Sequence, residues 1–102
     1  MMGARLPVDA GALAALCESR RIRKLSLFGS QLKGTARLES DVDLLVEFEP
    51  GARITLFDMA QIEIELSGLL GGRRVDLRTA GDLSRYFRDE VVRTAEPQYV
   101  AG

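Results

Sequence analysis

Two aspartates stand two residues apart in Ser40-Asp41-Val42-Asp43-Leu44-Leu45-Val46-Glu47-Phe48, inside a run that otherwise reads as a buried strand. In a strand, side chains two apart leave the same face, about 6.5–7 Å apart along the chain, so Asp41 and Asp43 converge on one side. Two like charges held that way need a counter-charge, and a divalent cation supplies it compactly. The chain has no histidine and one cysteine. The ligands on offer are therefore hard oxygens, which suit Mg²⁺ or Mn²⁺ rather than zinc. Mg²⁺ ordinarily takes one or two carboxylates and completes its octahedron with water and phosphate oxygens, so the pair implies a nucleotide.

Leu27-Phe28-Gly29-Ser30 offers the other half of such a site. Gly29 lets the backbone approach a phosphate, and the N–H groups that open the next turn, with the Ser30 hydroxyl, can donate to phosphate oxygens. Lys33 and Gly34 extend the cradle. The spacing is not that of a Walker A loop. Taken singly, each residue has a plainer reading: Asp41 as a strand-start cap, Asp43 as a solvated acid, Gly29-Ser30 as an ordinary turn. The combination points to chemistry.

Positioning these groups requires elements around them. Asp9 is a candidate N-cap for a helix over 8–21, along which Leu13, Leu16 and Cys17 recur at helical spacing; Cys17 on that stripe reads as a core residue, not a reactive thiol. A strand over 24–28 sets Leu25 and Leu27 against Ser26 and Phe28 and leads into Gly29-Ser30. Ser30 then caps a short helical turn through Lys33, ended by Gly34. The strand over 41–49 turns Val42, Leu44, Val46 and Phe48 to one face and Asp41, Asp43, Leu45 and Glu47 to the other, until Pro50-Gly51 stops it. Thr55 with Asp58 resembles a capping box, with Asp in place of Glu or Gln. It opens a helix over 56–70 with Leu56, Met59, Leu66 and Leu70 in one stripe. Phe57, Ala60 and Ile64 widen that apolar arc, as burial on two sides or a subunit contact would require. After Gly71-Gly72, a strand over 73–78 carries a third carboxylate, Asp76, opposite Val75 and Leu77. A last helix over 83–95 buries Leu83, Phe87 and Val91, with Tyr86 and Phe87 as packing residues, and Pro97 follows. The reading is α+β in the order αβαβαβα, one domain over 1–102.

The balance of charges narrows the partners. A net charge of −1 gives no basic field for nucleic acid, and no stretch approaches the roughly 18 apolar residues of a membrane span. The run Arg20-Arg21-Ile22-Arg23-Lys24 reads as a solvated helix end, and Glu47 and Glu49 as rim charges. A lone Cys17 forms no intrachain disulfide. The expectation is a soluble, unprocessed, cytoplasmic protein.

Gly29-Ser30, Gly34, and Ser40-Asp41-x-Asp43 followed by Leu-Leu-Val-Glu-Phe together resemble the signature of the minimal nucleotidyltransferases, a branch of the polymerase-β-like superfamily. Gly-Gly-Arg-Arg-Val-Asp-Leu and Leu-Ser-Arg-Tyr-Phe-Arg-Asp-Glu extend the likeness over nearly the whole chain. The resemblance implies a small mixed sheet of three or slightly more strands backed by helices, with three carboxylates binding two metal ions. Asp41 and Asp43 would be metal ligands and Asp76 the carboxylate that orients or deprotonates the acceptor. Gly29 and Ser30 would hold the triphosphate. Lys33 stands where the family often has Arg, keeping the charge without the bidentate fork.

No part of the chain remains to wall an acceptor, which favours a macromolecule with its own surface over a small molecule. The resemblance implies which: such proteins serve as antitoxins of HEPN-domain toxins (higher-eukaryote and prokaryote nucleotide-binding), transferring AMP from ATP to a toxin tyrosine or neutralising by binding alone. A small-molecule nucleotidyltransferase is the remaining alternative, and self-association is expected from the wide apolar arc over 56–70.

Overall fold

A computed structural model describes residues 8–28 and 42–101. Helix α1 (Ala10–Ser19) leads to strand β1 (Ile22–Phe28). Strand β2 (Val42–Phe48) is followed by helix α2 (Leu56–Leu69), strand β3 (Val75–Arg78), a 3-10 turn over Ala80–Asp82, helix α3 (Arg88–Thr94) and strand β4 (Glu96–Val100). The strands form one mixed sheet in the order β3-β2-β1-β4, with β1 antiparallel to β2 and β4, and β2 parallel to β3.

Helix α1 begins at Asp9 because its carboxylate accepts from the Ala12 N–H at 2.8 Å, satisfying a donor that the first turn leaves without a partner. Helix α2 begins at Thr55 with the expected capping box: the hydroxyl accepts from the Asp58 N–H at 3.2 Å, and the Asp58 carboxylate accepts from the Thr55 N–H at 2.8 Å. At its far end Gly71 and Gly72 take φ of 71° and 90°, where a side chain would be strained. The Gly72 N–H donates to the Ser67 carbonyl at 2.8 Å, closing the helix in a Schellman turn. Parallel strands need a connection of about a dozen residues or more, and α2 with these two ends supplies it.

Both α1 and α2 cover one face of the sheet. Leu13 and Cys17 of α1 and Ile62 and Leu66 of α2 join the buried cluster formed by Leu25 and Leu27 of β1 and Val42, Leu44 and Val46 of β2. Arg20, closing α1, grips Glu65 of α2 through Nε to Oε1 at 2.9 Å and Nη2 to Oε2, and holds that carboxyl below the usual carboxylate range. Strand alternation sends Lys24, Ser26 and Phe28, Asp43, Leu45 and Glu47, and Asp76 and Arg78 to the opposite face, open in that neither α1 nor α2 covers it, with Ser26 and Leu45 buried on it.

Side chains interrupt both sheet edges. The Val42 N–H donates to the Arg74 carbonyl at 2.8 Å, so alternation aims the Leu77 N–H away from β2, where Glu63 Oε2 accepts it at 2.8 Å. On β4, Pro97 has no N–H, and the Gln98 side-chain amide donates to the Glu96 carbonyl at 3.1 Å.

The C-terminal part departs from the sequence reading. Instead of a helix over 83–95, α3 occupies only Arg88–Thr94 and buries none of its residues. Leu83 is buried ahead of it, while Tyr86, 86 % exposed, and Phe87 are not packing residues. The Ser84 hydroxyl accepts from the Tyr86 N–H at 3.3 Å, a local bond that competes with helix. The chain then returns as β4, so among the described residues the order is αββαβαβ and the sheet has four strands. Pro97 lies within β4, which an edge strand tolerates. In α2, Leu56 is 87 % exposed and Ile62 takes the buried position. The helical turn expected over 30–33 lies outside the described residues. Among the described residues no helix is long and apolar enough to cross a membrane.

Replacing Ile62 by Ala should lower the unfolding free energy by about 2–5 kcal/mol. Leu56→Ser should change it by no more than about 0.5 kcal/mol. Urea denaturation of the isolated protein distinguishes the two.

Candidate active site

Three strands contribute one row of side chains to the open face. β1 and β2 pair Phe28 with Asp43, and β2 and β3 pair Asp43 with Asp76. Register partners on neighbouring strands share a face, so the two carboxylates leave the sheet side by side, with their strands about 4.8 Å apart. Phe28, which immediately precedes Gly29-Ser30, ends the row, so the chain enters that step beside the acids. Asp41, Gly29, Ser30, Lys33 and Gly34 lie outside the described residues.

Asp76 is partly covered and accepts through Oδ2 from Arg78 Nη2 at 3.2 Å and Nε at 3.3 Å. The sequence reading passed over Arg78, although its two-residue spacing from Asp76 in a strand signalled a shared face. Adjacent carboxylates with only oxygen donors fit a hard divalent cation such as Mg²⁺ or Mn²⁺. Among the described residues no group of three His, Cys, Asp or Glu side chains could hold a metal, and the ligand expected beside Asp43 and Asp76 is Asp41.

Several other charges pair away from the row. Arg23 Nη2 lies 2.7 Å from Glu47 Oε1 and Arg21 Nε 3.9 Å from Glu49 Oε2. With Arg20 on Glu65, three cations of the basic run serve as ion-pair partners, but the run is not a solvated helix end: Ile22, Arg23 and Lys24 already belong to β1, and Ile22 is buried in the core. A groove of about 360 Å³ lined by Ala60, Glu63, Ile64, Ser67, Arg74 and Val75 runs along the β3 edge on the helix side. It contains neither carboxylate of the row, and its one acid already accepts from the Leu77 N–H. The row, and not the groove, is therefore the candidate site.

Residues 12–99 match the nucleotidyltransferase domain of the polymerase beta family. The chain belongs to that family. The protein adenylyltransferase MntA of Thermococcus cleftensis is 38% identical over 72 residues, which are 71% of this chain and 70% of that one. A solved minimal nucleotidyltransferase superposes with a TM-score of 0.70 at 41% identity, covering 86% of this chain and 87% of the other. A toxin–antitoxin structure with AMP-PNP shares the fold, with a TM-score of 0.71 at 20% identity over 92% of this chain and 75% of that one. The family match agrees with the α+β fold and the nucleotidyltransferase resemblance read from the sequence.

The thiol of this nucleotidyltransferase has no part in the row. Cys17 is fully buried on the helix side, and burial pushes its pKa up to about 12. Iodoacetamide at pH 8 should leave the folded protein unmodified and label Cys17 only after denaturation, as read by intact mass.

Proposed function

We propose that the protein is a metal-dependent adenylyltransferase that moves AMP from ATP to a tyrosine hydroxyl of a HEPN-domain toxin and so serves as its antitoxin. The observation that carries this reading is the register match of Asp43 with Asp76 on the open face, in line with the residue that leads into Gly29-Ser30. The relative named protein adenylyltransferase MntA and the fold shared with a toxin–antitoxin structure holding AMP-PNP support it.

Asp41, Asp43 and Asp76 would hold two Mg²⁺ ions, with Mn²⁺ as a substitute. Bound there, such ions neutralise triphosphate charge and stabilise the departing pyrophosphate. Gly29 and Ser30, extended by Lys33 and Gly34, seat the triphosphate through backbone N–H groups, the hydroxyl and the ammonium. Asp76 orients the acceptor hydroxyl and takes its proton. The hydroxyl oxygen bonds to the α-phosphorus as the bond to the bridging oxygen breaks, and pyrophosphate leaves. Positioning by rigid strands and electrostatic complementarity supply most of the acceleration.

The acceptor arrives on its own protein surface. Leu56, Phe57 and Ile64 leave an exposed apolar face on α2, suited to a partner or to a second copy of the chain. That face also favours a second reading, neutralisation by binding alone.

Incubated with partner, ATP and Mg²⁺, the wild type should add one or more AMP units to a partner tyrosine, read by mass spectrometry. Asp43→Asn or Asp76→Asn should abolish the addition without preventing complex formation. A partner that stays unmodified yet neutralised, equally well by a variant lacking all three aspartates, would establish the binding reading instead.

Ser30→Ala should cost about 1.5–3 kcal/mol of transition-state stabilisation, the range for a hydrogen bond to a charged group. Gly29→Val should cost more, because its side chain blocks approach of the phosphate. Equal nucleotide affinity in both variants and the wild type would move the phosphates to another part of the protein.

A further inference from the structure

We infer that Arg78 is a displaceable counter-ion of the carboxylate row: it holds Asp76 when no metal is bound and competes with an arriving divalent cation for the same oxygen. The inference rests on the reading of Asp43 and Asp76 as metal ligands.

Asp76 and Arg78 are two apart in β3 and project to the same open face, and the neighbour of Asp76 across the strand pair is another acid, Asp43. Adjacent carboxylates in a partly covered place repel unless a positive charge sits beside them. Arg78 provides that charge from within the chain. Its Nη2 and Nε both address Oδ2 of Asp76, at 3.2 and 3.3 Å. This is not the parallel fork in which each nitrogen takes its own oxygen at shorter range. Such a fork does join Arg20 to Glu65, through Oε1 and Oε2 separately.

The difference suits the two places. Arg20 and Glu65 fasten two helices. The Arg78–Asp76 pair has long bonds on one oxygen, with side chains 46% and 35% exposed, and pairs of that kind contribute little net stability. Arg78 is also set against Leu45 in the strand register, so β2 presents no acid directly opposite it. The guanidinium can rotate away from Asp76 without breaking a backbone bond of the strand pairing.

Removing Arg78 should therefore have two effects of opposite sign. The metal-free protein should lose stability, because Asp76 loses its counter-charge, while divalent cations should bind more tightly, because their competitor is gone. A residue that merely supports the strand would produce the first effect without the second.

The test uses the full chain without nucleotide: Mn²⁺ binding followed by the electron paramagnetic resonance of free Mn²⁺, and thermal melting across a Mg²⁺ titration. Arg78→Gln should lower the metal-free Tm and reduce the Mn²⁺ dissociation constant about two- to five-fold, the scale of an exposed ion pair. Arg78→Lys, which keeps the charge without the planar fork, should fall between. Arg53→Gln, the same change of net charge on an exposed arginine beside the ends of α1 and α2, should leave Mn²⁺ affinity unchanged. Asp76→Asn should weaken Mn²⁺ binding and erase the effect of Arg78→Gln.

Should Arg78→Gln leave Mn²⁺ affinity unchanged or weaker, or Arg53→Gln raise it equally, while Asp76→Asn still weakens binding, the counter-ion role is wrong and the metal site stands. Should the wild type bind no Mn²⁺, the metal-site reading falls and the inference with it.

Discussion

The parallel register between β2 and β3 is the constraint on which the site depends, because it alone brings Asp76 beside Asp43. Slipping β3 by one residue would turn Val75 and Leu77 outward and Asp76 into the core, so the hydrophobic pattern excludes every odd slip. An even slip keeps the faces and would only move the acids apart by about 6.5–7 Å. Periodicity is silent about that error. What opposes it is the length of the crossover: α2 fixed at one end by the Thr55–Asp58 box, at the other by Gly71 and Gly72, and clamped along its length by Glu65 to Arg20 and Glu63 to the Leu77 N–H.

The sheet divides its labour by face. The helix side takes nearly all the apolar burial, including Cys17, and provides the rigid support that charged groups need if their spacing is to be maintained. The open side carries Asp43, Asp76 and Arg78, with Ser26 and Leu45 as its own buried residues. Rigid strands carry the acids of a nucleotidyltransferase while the surface that meets other molecules remains free to differ.

Much of this was legible from local rules. Asp9, the Thr55–Asp58 spacing and Gly71-Gly72 each announce a helix end through the first shell of backbone donors and acceptors, and each is found there. Alternation likewise assigned Asp43 and Asp76 to the polar faces of their strands. It could not say that those strands are neighbours, since adjacency is a property of the whole sheet. Family resemblance supplied what periodicity lacked. The failures share a cause: β4 exists because β1 offers it an edge, α3 is short because Ser84 captures a backbone N–H, and Ile62 rather than Leu56 is buried because of where α2 lies on the sheet. Arg78 escaped notice because an arginine at the end of a short strand looks like any solvated charge until its partner is known.

A small open sheet presents two margins on which further chains can add strand by strand, and that kind of growth has no natural end. Here the carboxylate of Glu63 occupies the Leu77 N–H on one margin, and on the other Pro97 withholds a donor. Addition at either side meets a missing or occupied group. Side-chain surfaces such as the apolar face of α2 behave differently, since covering one uses it up. Association through them ends in a complex of finite size, whereas association through the strands would propagate into a fibre.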